Sequence, residues 1–188
     1  MLKATTPNAW LKEVLANFDE FLKDHAANER KASSVALSLI AHYPDRPELL
    51  AEMLDLALEE LNHYRQVMKL MLARGIKPGP DEKDPYVNQL IRLVRKDSEN
   101  YFLDRLLSGA VIEARGAERF DLIAKAHPDT SMQRFYESLA RSEKGHYKLF
   151  LDLAEIYFDS DVIAARWQEW LVAEADIMLG IPIRARLH

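Results

Sequence analysis

Four glutamates interrupt helical stripes that are otherwise largely apolar, and their types and spacing could support metal chemistry. They are Glu29, Glu60, Glu113 and Glu143. Glu60 and Glu143 are each followed three residues later by a histidine, His63 or His146. A separation of three residues places two side chains on the same face of a helix. The sequence therefore predicts two ExxH motifs that face a core.

The two motifs belong to a longer repeat. Glu29 precedes Glu60 by 31 positions and Glu113 precedes Glu143 by 30 positions. A glutamate followed by an ExxH motif thus occurs once in each half of the chain. An isolated ExxH motif is weak support for a metal site, because chance produces it often in a glutamate-rich chain. The repeat is more specific, and it indicates two copies of one helical hairpin.

Charge explains why a metal is expected at these positions. Four carboxylates buried without partners would be very costly, whereas two divalent cations balance four negative charges. One carboxylate from each of two helices and an ExxH motif from each of two others form the ligand set of dinuclear carboxylate bundles. We expect Glu60 and Glu143 to bridge the metals. The predicted terminal ligands are Glu29, His63, Glu113 and His146. Oxygen and imidazole donors favour iron, with manganese possible.

Neighbouring residues have ordinary interpretations as well. Any one glutamate on a helix is more often a solvated surface residue than a ligand. His25 lies one turn before Glu29. It is either a partner of that ligand or a hydrogen-bonded core histidine, and we favour the core histidine.

Turn residues and apolar periodicity predict long helices with few breaks. The first predicted helical stretch is about 9–43, with a possible break near 17–19. The second is 47–74, and the third begins after 85, restarts near 97 and stops before 128. The last two are 130–157 and 161–179. Asp45 is the expected cap of the second stretch and Gly75 its stop. The long connection 75–96 favours a ferritin-like bundle over a simple up-and-down one. We therefore predict an all-α fold in a single domain over 1–188, a ferritin-like four-helix bundle with a long crossover connection and an additional C-terminal helix.

Composition excludes several classes of protein. The chain has 188 residues and no cysteine, which rules out disulfides, thiolate metal sites and a thiol nucleophile. With neither a signal-peptide pattern nor an apolar stretch of about 18 residues, we expect a cytoplasmic protein without membrane partners. The formal charge of −5 argues mildly against a nucleic-acid partner. Two ferrous ions on four core carboxylates would bring it to about −1, which weakens that argument.

Four segments resemble the tRNA hydroxylase family of ferritin-like diiron proteins. They are HAANERKA at 25–32, EELNH at 59–63, IEARGAERF at 112–120 and SEKGHY at 142–147. The resemblance extends from Trp10 to the C-terminal end. IEARGAERF is its most specific part, because ExxH motifs are shared by all ferritin-like diiron proteins.

The resemblance implies a particular reaction. Members of this family are dioxygen-dependent monooxygenases that hydroxylate the isopentenyl group of a methylthio-isopentenyl-adenosine beside the tRNA anticodon. The implied cofactor is two nonheme iron ions, held by the six glutamates and histidines above, with dioxygen as co-substrate. Electrons would come from an external reductase, since the sequence shows no flavin or iron–sulfur motif.

A tRNA substrate requires basic residues near the site. Arg134, Arg141 and Lys148 have seven-residue spacing on one helix face, with Lys144 adjacent. Further candidates are Arg30, Lys31, Arg115, Arg119, Arg184 and Arg186. Each of these residues, taken alone, is more often a solvated surface charge than an RNA contact.

Two other functions use the same residues. The ligand set also fits a ferritin-like ferroxidase or a rubrerythrin-like peroxidase, and the ligands alone do not separate these enzymes. A non-catalytic helical interaction module, with the polar stripe specifying its pairing, is the alternative outside enzymes. The sequence leaves the oligomeric state open.

Overall fold

The computed structural model describes residues 2–188, with the side chain of Glu99 excepted, and within them every regular element is a helix. The helices are α1 (Asn8–Ala16), α2 (Phe18–His42), α3 (Pro47–Ala73), α4 (Pro85–Leu93), α5 (Ser98–Ala126), α6 (Thr130–Tyr157) and α7 (Ser160–Gly180). The all-helical class is therefore confirmed, and each predicted stretch corresponds to one helix or to two successive helices. No helix among the described residues is both long and apolar enough to span a bilayer.

Local sequence determines most helix boundaries. Asn17 leaves the helical region at φ −126° and ψ 46° and separates α1 from α2. Gly75, at φ 71°, ends α3 in a left-handed conformation that glycine adopts without strain. Its N–H donates to Leu72 O over 3.1 Å, and the Ile76 N–H donates to Met71 O over 2.9 Å, which is a Schellman ending.

Aspartates begin three of the later helices. Asp84, Asp97 and Asp129 precede α4, α5 and α6, and each side chain accepts hydrogen bonds from backbone N–H groups of the first turn. The prediction for Asp45 is wrong. Arg46 occupies the N-cap of α3 without a side-chain capping bond, and Pro47 at the first position has no N–H that needs an acceptor.

The chain divides into two compact units. The α2–α3 unit contains residues 12–82 and 184–187. Its two long helices pack against each other, and Ser33 Oγ of α2 donates to Ala57 O of α3 over 2.8 Å. Leu22 and Met53 are fully buried. The expectation of a single domain over 1–188 stays a prediction.

The α5–α6 unit contains residues 2–11, 83–183 and 188. Helix α5 packs against α6 and α7, and α4 packs against α7. The carboxylate of Asp104, which is fully buried, accepts from Arg95 at 2.9 Å and from Arg166 at 2.8 Å. Arg166 also donates to Leu93 O over 3.0 Å. These bonds fasten α7 to the beginning of α5 and to the end of α4.

Candidate metal centre

In the α2–α3 unit, the three predicted ligands lie together. Glu29 of α2 and Glu60 and His63 of α3 are all buried. Each offers one ligand atom, and these atoms lie within 4.8 Å of one another. His63 Nδ1 is 3.3 Å from Glu60 Oε2 and 3.6 Å from Glu29 Oε2. The first copy of the repeat thus forms one compact donor set.

The α5–α6 unit contains a second donor set of nearly the same geometry. Glu113 of α5 and Glu143 and His146 of α6 again bring ligand atoms within 4.8 Å of one another. His146 Nδ1 is 3.4 Å from Glu143 Oε2 and 3.9 Å from Glu113 Oε2. Glu143 and His146 are buried, whereas the Glu113 side chain is 12% exposed.

His25 distinguishes the first donor set. Its ring is fully buried, and Nε2 lies 2.6 Å from Glu29 Oε1. The sequence analysis favoured a core histidine over a partner of the predicted ligand, and this preference is wrong, because the hydrogen-bond partner of the ring is a predicted ligand. The structure shows that this partner is the predicted ligand Glu29. His25 therefore fixes one oxygen of Glu29, while the other oxygen is turned toward His63.

Protonation of the first donor set follows from these contacts. Burial alone would raise the pKa of Glu29, but hydrogen bonds with His25 and His63 outweigh it and hold that pKa well below its usual range. Burial alone would lower the pKa of His63, yet Glu29 and Glu60 raise it to about 10. A metal that binds His63 must therefore displace a proton that two carboxylates retain.

The second donor set has a glycine at the position of His25. Gly109 lies one turn before Glu113, as His25 lies one turn before Glu29. A Cβ atom on Gly109 would lie 2.8 Å from Cζ of Phe150, whose ring therefore covers the backbone of α5. Phe150 itself lies one turn after His146. The two donor sets thus share their ligand types and differ in what surrounds them.

Both donor sets fit iron. Each combines two carboxylates with one imidazole, which are the oxygen and nitrogen donors that iron accepts in nonheme sites. The carboxylates are buried or nearly so, and buried anions require a compensating cation. A divalent ion at each set would supply that charge.

The IEARGAERF segment supplies buried arginines rather than surface ones. Arg115 is fully buried, and it donates to Glu174 Oε1 and Oε2 at 2.7 and 2.9 Å, to Ala4 O at 3.0 Å and to Thr6 Oγ1 at 3.2 Å. It also pairs with Glu118. Sequence reasoning missed Glu174 and Thr6, because nothing local to them signals a distant arginine.

Arg119 is buried in the same way. Its guanidinium lies 4.7 Å from the centroid of the Trp10 ring, and burial lowers its pKa to about 10. The suggestion that Arg115 and Arg119 contact RNA phosphates is therefore wrong, because their guanidinium groups are used inside the α5–α6 unit.

The basic candidates on α6 lie at the surface. Arg134, Arg141, Lys144 and Lys148 are exposed along α6. Acidic neighbours on the same helix offset part of their charge. Arg141 lies 3.8 Å from Glu137 Oε1, and Lys148 pairs with Asp152. Their role in RNA binding stays a prediction.

Two more of the candidates pair within the α2–α3 unit. Arg30 donates to Asp81 over 2.5 Å, and Arg186 donates to Glu82 over 2.9 Å. Lys31 and Arg184 are half-buried. These ion pairs neutralise part of the basic charge within the protein, so that part does not require an RNA partner.

Comparison with known proteins gives consistent sequence matches. A family model described as tRNA-(MS[2]IO[6]A)-hydroxylase (MiaE) matches residues 1–188. The chain is 40% identical over 187 residues to a tRNA 2-(methylsulfanyl)-N(6)-isopentenyladenosine(37) hydroxylase of Pseudomonas putida, with 100% of this chain and 91% of the relative covered. A protein of the same name from Salmonella typhimurium is 29% identical over 236 residues, with 100% and 87% covered.

A solved structure extends the comparison to the fold. It is the structure of a Synechococcus protein described as protein 43 with aldehyde deformylating oxygenase activity. Its TM-score to this chain is 0.95 at 34% identity, with 100% of this chain and 94% of that chain covered. The predicted ferritin-like fold class is confirmed by this similarity.

Proposed function

Because the chain belongs to the tRNA-(MS[2]IO[6]A)-hydroxylase family, a family of oxidoreductases that modify tRNA, we propose that it hydroxylates the isopentenyl group of a methylthio-isopentenyl-adenosine beside the anticodon. The family match over the whole chain is the observation that carries this proposal. The reaction inserts one atom of dioxygen into a C–H bond and reduces the other atom to water. It consumes two protons and two electrons, and an external reductase supplies the electrons.

The two donor sets are assigned together to a diiron centre. Glu29, His63, Glu113 and His146 would hold the iron ions as terminal ligands, and Glu60 and Glu143 would be the ligands that the two ions share. When bound, the iron pair supplies dioxygen activation, which carboxylates and imidazoles do not provide by themselves. An isopentenyl methyl group has no acidic proton at ordinary pH, so general acid–base chemistry alone would not hydroxylate it.

The chain contributes orientation and dryness. Glu60 is 1% exposed, and Glu29, Glu143 and His146 are each 4% exposed or less, which supports a site from which bulk water is excluded. The 2.6 Å contact from His25 holds one Glu29 oxygen in place. Partners of this kind orient ligands and maintain metal affinity.

Basic residues on α6 are proposed to contact tRNA phosphates. Arg134, Arg141, Lys144 and Lys148 are exposed on this helix, which also carries Glu143 and His146. Phosphate contacts release counterions, so binding weakens as salt rises. Replacing Arg134 and Lys144 by alanine should therefore weaken tRNA binding and reduce its salt dependence. An unchanged slope would remove these residues from the interface.

The test of the function is nucleoside analysis. The tRNA bearing the prenylated base is incubated under air with iron-loaded protein and a reductase system. It is then digested to nucleosides, which are identified by mass spectrometry. We expect the hydroxylated nucleoside to accumulate with wild-type protein and not with His146→Ala. The ratio of hydroxylated to unhydroxylated prenyl-adenosine should also differ between tRNA from cells with this chain and tRNA from cells without it. Equal ratios together with no product in vitro would refute the proposal.

Aldehyde deformylation is the second candidate activity. The similarity to a Synechococcus protein with that activity, at a TM-score of 0.95, favours it. Iron-loaded protein is supplied with reductant and a long-chain aldehyde, and hydrocarbon is measured by gas chromatography. Hydrocarbon formation without hydroxylation of tRNA would replace the first function with the second. Hydroxylated nucleoside without hydrocarbon would exclude the second.

A further inference from the structure

An apolar cavity of about 390 Å³ lies in the α5–α6 unit, and the proposed function does not yet use it. Its volume is within the range of about 300 to 1,000 Å³ usual for small-molecule sites. The residues that matter for its chemistry are Ala114, Ala117, Lys144, Tyr147, Trp167 and Leu171. The cavity is therefore formed by α5, α6 and α7, together with residues near the N-terminus.

The cavity borders the turns that carry the second donor set. Ala114 directly follows Glu113, and Tyr147 directly follows His146. Alanines at 114 and 117 have short side chains, which leaves the space between α5 and α6 open. None of the six predicted metal ligands is among the lining residues, so a ligand held there lies on the neighbouring faces of the turns that carry Glu113 and His146.

The walls suit a flat, apolar group. Tyr147 and Trp167 both line the cavity, and their rings are 6.0 Å apart between centroids and inclined by 34°. The acids on its wall have partners within the unit. The Glu118 carboxylate accepts from Thr6 at 2.7 Å, and Asp121 pairs with Lys125. Lys144 is the exposed cation on the wall.

The α2–α3 unit offers a contrast at the equivalent place. A cavity of about 290 Å³ lies beside Tyr64, which follows His63 as Tyr147 follows His146. Its walls include Lys23, Asp24 and Arg30. Charged walls disfavour an apolar tail, because the tail would leave those groups poorly hydrated. Only one of these two cavities therefore suits a prenyl group.

We propose that the apolar cavity beside Tyr147 holds the prenylated adenine of the substrate. The isopentenyl group lies against Ala114 and Ala117, the adenine ring stacks on Trp167, and Lys144 contacts an adjacent phosphate. This inference rests on the proposed function and names the cavity in which the protein binds the substrate base. Aromatic stacking is the usual way in which proteins hold a base that has left its stack.

The test fills the cavity and leaves the donor sets unchanged. Ala114→Leu projects an isobutyl group into the cavity. Ala27→Leu is the matched control, because Ala27 is also half-buried and lines the charged cavity of the other unit. We expect Ala114→Leu to lower kcat/KM for tRNA at least about tenfold, as crowding in an apolar pocket does. Ala27→Leu should stay within about twofold. Iron content and helical content should be unchanged in both.

A binding measurement separates this inference from the function. N6-isopentenyladenosine is titrated into each protein, and binding is followed by equilibrium dialysis. We expect binding to wild type and to Ala27→Leu, and at least about tenfold weaker binding to Ala114→Leu and to Trp167→Ala. Equal binding by all four proteins overturns the cavity assignment even if tRNA is hydroxylated. Binding with this pattern supports the assignment even if hydroxylation fails.

Discussion

Replacing Gly109 by alanine tests the packing that distinguishes the second donor set. The added Cβ would lie 2.8 Å from Phe150 Cζ and 2.9 Å from Cε1 and Cε2. Carbon atoms in contact prefer about 3.5 to 4.0 Å, so the ring or the helix must move. Phe150 is 3% exposed, which leaves its ring little room to turn away.

The magnitude follows from two opposing effects. Overpacking of a core costs about 1 to 3 kcal/mol. Alanine is favoured over glycine inside a helix by about 1 kcal/mol. Gly109→Ala should therefore lower the free energy of unfolding by about 0 to 2 kcal/mol. Gly145→Ala is the control, since its Cβ would have no neighbour within 4 Å, and it should raise that free energy by up to about 1 kcal/mol. The difference between the two variants isolates the steric effect.

The assay is equilibrium unfolding in urea, with the same metal content in every protein. Gly109→Ala combined with Phe150→Leu should recover part of the loss, because the smaller side chain leaves room for the methyl group. Iron binding by Gly109→Ala should also weaken, since Phe150 lies one turn after the ligand His146. Two single variants equal in stability within about 0.5 kcal/mol would refute the reasoning.

Three further changes have defined outcomes. His146→Ala should retain its circular dichroism but lose iron by metal analysis, and full iron with continued turnover would contradict the ligand assignment. Arg115→Met should lower the free energy of unfolding by about 3 to 5 kcal/mol in urea, because it leaves the Glu174 carboxylate buried without its guanidinium. Arg115→Met with Glu174→Gln should recover part of this, and no recovery would locate the loss elsewhere. Burial alone would raise the pKa of Asp104, but hydrogen bonds from Arg166 and Arg95 outweigh burial and hold that pKa below the ordinary 3.8. The ionised Asp104 therefore stabilises the fold above pH 3.8, and this stabilisation is lost as the pH falls further. Asp104→Asn should therefore show a shallower loss of stability below about pH 4, and an equal acid slope would contradict this.

Local pattern accounts for most of the secondary structure and for the ligand types. The break at Asn17 and the end of α3 at Gly75 depend on residues within a few positions, and they were predictable for that reason. The repeat of Glu29 and Glu60 in Glu113 and Glu143 needed only helical periodicity. Asp45 is not the cap because α3 begins at Pro47, which places Arg46 at the N-cap. Pro47 has no N–H that needs an acceptor, and a capping rule alone does not take this into account.

Contacts between distant residues had to await the tertiary structure. Arg115 resembles a surface cation in sequence, and its burial depends on Glu174, which is 59 residues away. Gly109 is unremarkable until the Phe150 ring is found against it. The sequence by itself determined the helices and the donor atoms, since periodicity and charge are local properties. Tertiary packing decided which cations are buried and which of the two cavities is apolar, because burial depends on partners that the chain brings together only when it folds.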